Sequence, residues 1–456
     1  MMIKAKQFNI LAIIRRELTE QLLIKVDRGA NPLRANTLIW SEYVDRCNKK
    51  QLPIIGANLS LGNIDANSFD RESEDLHLSQ ALGICPDGEI YRQISLAKEK
   101  LNREYYFSGR SLSKYGEFAG IEEVRAAFAE YLAQWGGIVI SKDATFFSSG
   151  EASDMAQREI EALVLWLNEE RLETSFLTTV PGYMPIINMA RKAGMRVITL
   201  ECSEANNYFL QSDQARQIVQ DENIGVFYIV PINNPTGTMV SADQLSRVVR
   251  QSYEANTSII FLVDLAYITT VSEERAHTML AIFNNKEILE RTIFLTSLSK
   301  SHAIPGQRLG ACHTIVVGMN ECLRIATESG NPCHSSAAML EAVAVLNNVN
   351  KESVRQTATV YKRRREMMID TLKDINRLTN QELFINLDKL KTDGALYVYP
   401  RLGKNKTSLD LFIQTGMLGI GGRFFGAGDN DQRVRLAIGI HSSLEIRNIP
   451  LQLDLS

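Results

Sequence analysis

A chain of 456 residues, 45% hydrophobic and 23% charged, has material for a large domain and a smaller companion, and is too apolar for a disordered protein. Its net charge of −3 gives no basic field for nucleic acid or an acidic membrane, so the expected partners are small molecules and further copies of the chain. Six cysteines (Cys47, Cys85, Cys202, Cys312, Cys322 and Cys333) lack paired or zinc-type spacing, which predicts free thiols in a reducing, cytoplasmic setting, with no disulfide and no metal. Near the start, the apolar stretch Phe8 to Ile14 is broken by Arg15, Arg16 and Glu17, short of membrane-spanning length, and no small-residue cleavage site follows. It predicts one helix, about Ile10 to Val26, with Leu11, Ile14, Leu18, Leu22 and Leu23 on one face.

Further along, short apolar runs alternate with longer amphipathic ones, the signature of an α/β fold. Expected strands are Thr145–Phe147, Ser175–Thr179, Arg196–Leu200, Gly225–Val230, Ser258–Val263 and Thr292–Thr296, each a continuous run suited to a sheet covered on both faces. Helices are expected between them. One opens at Ser149-Gly150-Glu151 and runs through Leu163 and Leu167; another opens with a capping box, Ser241 and Gln244, and runs to about Tyr253. Beyond about residue 335 the texture changes to a long polar helix, roughly Glu352 to Leu372, and short strands near Leu383–Ile385, Leu396–Tyr399 and Val434–Ile438. The domain reading is residues 1–75 as an N-terminal helix and arm with part of a small domain, 76–334 as the large domain, and 335–456 as an α+β small domain.

In a doubly wound sheet, functional residues gather beyond the carboxyl ends of the strands. Three strands end on chemistry. One leads through Pro231 to Asn233-Asn234-Pro235-Thr236-Gly237, one reaches Asp264 with Tyr267 three residues on, and one reaches Ser297-Leu298-Ser299-Lys300. Alone, the Asn-Pro stretch is a turn and the lysine a solvated charge. Their order and spacing carry more, because Arg308 follows Lys300 by eight residues within Gly306-Gln307-Arg308-Leu309-Gly310.

With these motifs, the sequence from about Leu59 to Ile438 resembles the fold-type I, class I/II aminotransferase family of pyridoxal-phosphate (PLP) enzymes. Tyr115-Gly116 with Gly120 and Arg125, Ser149-Gly150-Glu151, Pro181-Gly182-Tyr183 and Arg433-Val434-Arg435-Leu436 extend the match. The resemblance implies the PLP-transferase fold, a mainly parallel sheet flanked by helices plus a smaller α+β domain. It implies that Lys300 holds PLP as a Schiff base and moves the Cα proton, and that Asp264 lies against the pyridine nitrogen, where a carboxylate keeps it protonated. Asn234 and Tyr267 would hydrogen-bond the phenolate oxygen and Tyr183 would stack on the ring. Ser149, Gly150, Glu151, Ser297 and Arg308 would hold the phosphate, with Tyr115 reaching that of a partner in a homodimer. Arg435 would clamp the substrate α-carboxylate as a two-pronged pair, with Asn234 and Gly62 on the substrate side and Arg433 the alternative clamp.

The implied reaction moves the α-amino group of an amino acid to a 2-oxo acid. The same constellation serves a lyase of carbon–sulfur or aminocyclopropane-forming type, a decarboxylase or an oxidase. A ligand-sensing regulator built on this domain would need a DNA-binding module, and the first 60 or so residues show one helix and no basic helix-turn-helix pair. Leu265 replaces an acidic residue common in the family, and Glu151 a small one. No second arginine for a dicarboxylate stands out, and Glu328 is a candidate partner for a basic or polar substrate. His77, His277, His302, His313, His334 and His441 form no catalytic pairing and are expected at the surface or in packing.

Overall fold

A computed structural model describes residues 2–27, 31–60, 62, 64–65, 67–71, 78–110, 116–330, 333–428 and 432–454. Contacts divide the chain into two units. The smaller comprises Met1–Glu74, Asn234–Gly237 and Val360–Ser456; the larger comprises Asp75–Asn233 and Thr238–Thr359.

The chain begins in the smaller unit with α1 (Met2–Asp27) and α2 (Pro32–Lys49). No helix breaker stands ahead of Ile10, so α1 starts eight residues earlier than its apolar face predicts. The second helix was not expected, although Pro32 at its first position is a standard opening. Leu11, Ile14, Leu18 and Leu22 of α1 meet Ala35, Ile39, Tyr43 and Cys47, spaced by four along α2, in one buried core. Arg15 interrupts that apolar face and is itself fully buried. Its guanidinium donates to the Tyr43 hydroxyl at 2.9 Å and to the carbonyls of Ile55 at 2.8 Å and Ile413 at 3.3 Å.

The larger unit contains α3 (Glu89–Phe107), α4 (Glu122–Gly136), α5 (Glu151–Glu169), α6 (Ala242–Ala255), α7 (Met319–Gly330) and α8 (Ser336–Asn348). Its sheet has seven strands: β1 (Thr145–Ser148), β2 (Ser175–Val180), β3 (Arg196–Glu201), β4 (Val226–Ile229), β5 (Ile260–Asp264), β6 (Thr292–Ser297) and β7 (Gly310–Thr314). Their order is β1-β7-β6-β5-β4-β2-β3, and only β7 runs against its neighbours. The sheet is therefore mainly parallel, as expected.

Three details differ from the sequence reading. β7 was not anticipated, because Gly-Ala-Cys-His-Thr lacks the β-branched signature. Its His313 is nevertheless fully buried, bridging Thr145 Oγ1 at 3.1 Å and Thr296 Oγ1 at 2.9 Å. β3 is an edge strand with partly exposed residues rather than a strand covered on both faces. At α6, Ser241 Oγ accepts from Gln244 N at 3.2 Å, but the Gln244 amide donates to Asn206 O and Leu210 O, so the capping box does not close.

α8 packs on α3 and α4, which assigns it to the larger unit. The division thus falls at 359/360, inside α9 (Lys351–Thr379), rather than at 334/335. Back in the smaller unit, β8 (Tyr397–Val398), β9 (Ile420–Gly421) and β10 (Val434–Ala437) form an antiparallel sheet with β10 central. No helix among the described residues is long and apolar enough to cross a membrane.

Candidate active site

Register gathers the functional residues of the larger unit at one sheet edge. Ser148 of β1 and Ser297 of β6 both pair with Gly310 of β7, so the three lie in one row, and Asp264 of β5 pairs with Leu295 of β6. Because β1, β2, β4, β5 and β6 run the same way, Ser149-Gly150, Pro181-Gly182-Tyr183, Asp264 and Ser297–Lys300 all leave their strands at the same edge.

Asp264 is fixed by two donors. Its Oδ1 accepts from Ala266 N at 2.9 Å and its Oδ2 from the Tyr228 hydroxyl at 2.7 Å. Tyr228 on β4 is 2% exposed, and burial first, then the charge of Asp264, push its pKa far above the usual range, so it stays a donor. The hydroxyls of Tyr183 and Tyr267 also act on Tyr228, which places both tyrosines in the same neighbourhood. Tyr183 is half-buried at the start of the helix Met184–Lys192, and Tyr267 is buried ahead of the turn Ile268–Thr270. That turn packs against the short helix Leu298–Ser301, which carries the half-buried Lys300.

Ser297 caps this short helix, its Oγ accepting from Ser299 N at 3.1 Å, while the buried Ser299 Oγ has no partner. Gly150 occupies the cap position of α5 and has no side chain to offer, so the helix meets the sheet edge without a cap from that residue. Arg308 is exposed in the turn before β7, with Nη1 on Pro305 O at 3.3 Å and φ of +58°. Glu151 begins α5, but its side chain lies outside the described residues, as do Tyr115 and His77.

The smaller unit holds the second cluster. Arg435 of β10 is 5% exposed and donates through Nη1 to Asn234 Oδ1 at 3.0 Å and through Nη2 to Ser60 O at 2.7 Å. Its guanidinium carbon lies 4.5 Å from the Tyr397 ring centre and 4.9 Å from that of Phe425. Nε is buried without a partner, a donor left for a carboxylate. Gly62 is packed so closely that a Cβ would come 2.6 Å from the Tyr397 hydroxyl. Arg433 lines a separate cavity of this unit.

Tyr228, Ser60, Tyr397 and Phe425 escaped the sequence reading. Tyr228 alone left a signal, a polar hydroxyl inside an otherwise apolar strand. Glu328 is engaged by Arg324, one turn earlier on α7, so it is already paired as a surface ion pair. Of the histidines, His302 is fully buried and its pKa falls to about 4 through burial; it meets Ser301 Oγ at 2.8 Å.

The family model for aminotransferases of class I and II matches residues 83–449. The chain belongs to that family. It is accordingly a PLP-dependent aminotransferase of fold type I. The aspartate aminotransferase of Sulfolobus acidocaldarius is 22% identical over 414 residues, covering 88% of this chain and 95% of that one. That of Musicola paradisiaca is 24% identical over 222 residues, a match spanning 48% of this chain and only about half, 51%, of that protein. A crystal structure of an aminotransferase from Mycobacterium tuberculosis superposes with a TM-score of 0.70 at 19% identity, covering 94% of this chain and 97% of that one.

The donors of the larger unit fit the cofactor by kind. A lysine amine suits an aldehyde, an aspartate held by one hydroxyl and one amide suits a pyridinium, and an unpartnered buried hydroxyl with a helix start capped by glycine suits a phosphate.

Proposed function

We propose that this aminotransferase moves the α-amino group of an amino acid to a 2-oxo acid, with Lys300 as Schiff-base lysine and proton carrier. The observation that carries the α-amino-acid reading is Arg435, a buried arginine held by Asn234 and Ser60 with one donor, Nε, still unpartnered. A planar fork fixed by two hydrogen bonds and lying over two aromatic rings is suited to one carboxylate in one orientation.

When bound, the cofactor supplies an aldehyde for the substrate amine and a protonated ring that accepts the electrons released at Cα. Asp264, held by Tyr228 and Ala266 N, would present its carboxyl group to the ring nitrogen. Tyr267 and Asn234 would donate to the phenolate oxygen, Tyr183 would cover the ring, and Gly150, Glu151, Ser149, Ser297 and Arg308 would hold the phosphate. Lys300 would hold the cofactor aldehyde through its amine and, when that amine is free, would serve as the general base for the substrate Cα proton. Gly62 and Asn234 complete the substrate side.

The same reading includes a homodimer in the cytoplasm, with Tyr115 reaching the partner's phosphate. It is supported by the exposed apolar side chains Leu96, Tyr106 and Phe107 of α3, at 66%, 66% and 79%, and by six free cysteines.

The test is a half-reaction screen with purified holoenzyme and single amino acids. The visible band should bleach to the pyridoxamine form with one 2-oxo acid released per site, and Lys300→Ala should abolish this while still binding PLP. Oxo acid with free ammonia and an unbleached band would move the assignment to the lyase or oxidase alternatives.

A further inference from the structure

Arg435 is held by the Ser60 carbonyl, and Ser60 has a holder of its own. Asn58 and Ser60 are both buried, at 5% and 0% exposure. Asn58 Oδ1 accepts twice from Ser60, from its hydroxyl at 2.7 Å and from its backbone N–H at 3.2 Å. An asparagine that bonds the backbone two residues on bends the chain at that point, a local turn that competes with extended pairing. Both donors of Ser60 are thereby taken by Asn58, and its carbonyl accepts from Arg435 Nη2 at 2.7 Å.

The same segment is fastened on both sides. Leu59 N donates to Leu418 O at 2.9 Å, and Leu59 O accepts at 2.7 Å from Ala437 N, two residues beyond Arg435. His441 follows on the same stretch of chain, and its Nε2 meets Asn58 O at 3.2 Å. Because the acceptor there is a carbonyl, Nε2 carries the proton. The circuit Arg435–Ser60–Asn58–His441 therefore begins and ends on the stretch that carries the arginine. Two bonds set the plane of the guanidinium, Nη1 to Asn234 and Nη2 to Ser60. In the reading above Asn234 also serves the cofactor, so among the described residues the Ser60 carbonyl is the tie that serves the fork alone.

We propose that Asn58 is a positioning residue for the substrate α-carboxylate: by holding Ser60 it keeps that carbonyl on Nη2 and so sets the plane in which the arginine fork meets its ligand. This rests on the reading of Arg435 as the carboxylate clamp. Asn58 acts through Ser60 and Arg435 rather than on the reacting atoms. A carboxylate held by parallel N–H bonds is sensitive to the plane of the fork, since tilting weakens those bonds together. A ligand without that carboxylate gives the fork nothing to read, and its binding is indifferent to Asn58.

The experiment titrates the PLP-loaded enzyme, followed by its visible band, with two probes. One is the fastest-reacting amino acid of the half-reaction screen; the other is the same molecule with hydrogen in place of the α-carboxylate (tyramine for L-tyrosine, 3-aminopropanoate for L-aspartate). Asn58→Ala should raise the apparent Kd of the amino acid roughly tenfold, with kcat changed less than about twofold, and should leave the Kd of the amine within about twofold. Ser60→Ala removes only the hydroxyl bond to Asn58 and should raise the amino-acid Kd about threefold, which carries the test where Asn58→Ala does not fold. Arg435→Lys separates the two readings. An unchanged amino-acid Kd in Arg435→Lys removes the clamp itself. Weakening in Arg435→Lys with wild-type Kd in Ser60→Ala and, where it folds, in Asn58→Ala overturns the role of Asn58 alone. Equal weakening of amino acid and amine also overturns it, since that is damage to the fold rather than to the aim of the fork.

Discussion

Arg15 and Arg364 in the smaller unit are as deeply buried as Glu159 in the larger one, all at 0% exposure, yet only the arginines have oxygen partners at ordinary hydrogen-bond distance. Arg364 donates to Ser68 O at 2.9 Å, Ser68 Oγ at 3.1 Å and Gly439 O at 3.3 Å; Arg15 is held the same way by Tyr43 and two carbonyls. Glu159 of α5 lies by Cys312, whose thiol is a weak donor toward it, and neither of its oxygens has a partner at ordinary hydrogen-bond distance. The difference follows from the groups themselves. A guanidinium carries five donors and can spend them on backbone carbonyls, whereas a carboxylate only accepts, and a helix flank over a sheet has no free N–H to give. The arginines therefore tie chain segments together, while Glu159 is pushed toward its neutral form. Burial pushes its pKa well above the carboxylate range, Cys312 eases it, and the charge of Asp264 adds to the rise.

The largest effect expected from this contrast is at Arg364. Arg364→Met should cost about 3 kcal/mol, because Ser68 and Gly439 lose charge-assisted bonds, and should lower the melting temperature by roughly 3 °C in a chain of this length. An unchanged melting temperature would mean that the buried arginines are not ties. At Arg435 the fork itself is at issue. Arg435→Lys keeps the charge but loses the second prong, so KM for the amino acid should rise roughly tenfold or more, about 1.4 kcal/mol, with a smaller change in kcat. An unaltered KM would shift the clamp to Arg433.

The smallest effect has the opposite sign. Glu159 binds a proton in the folded state at pH values where the unfolded chain has released it, above about 4.3. Its contribution to stability is thus greatest in acid and is lost as pH rises toward the raised pKa of the folded form. Glu159→Met should remove that dependence and stabilise the protein at neutral pH by about 1 kcal/mol. Denaturation curves at pH 5 and pH 8 test it, and a variant less stable at both would show that the carboxyl has a donor after all.

The strand ends were legible because β-branched runs, turn residues and the family motifs all lie within a few residues of one another, so Asp264, Lys300 and Arg308 could be named before any pairing was known. What stayed hidden depends on contacts distant in sequence. Tyr228 reads as one more aromatic in a buried run, and its role appears only when β4 lies beside β5. Ser60 contributes a carbonyl, which no side-chain pattern can announce. Arg433 and Arg435 alternate with Val434, so strand periodicity places both on one face and cannot choose between them. β7 was masked by glycine, alanine and cysteine, residues whose fitness for a strand comes from close packing rather than from propensity.

Asn234–Gly237 packs with the smaller unit although Asn233 and Thr238 on either side belong to the larger. Gly237, at φ of +70°, is held so tightly there that a Cβ would lie 2.2 Å from Tyr397 O. The smaller unit is therefore assembled from three separate stretches of chain, the middle one only four residues long and embedded in the other unit's sequence. No single cut can release either unit intact, and a fragment ending before residue 234 or beginning after 237 lacks a piece of the smaller one. Dissecting this enzyme into independently expressed halves should yield incomplete folds.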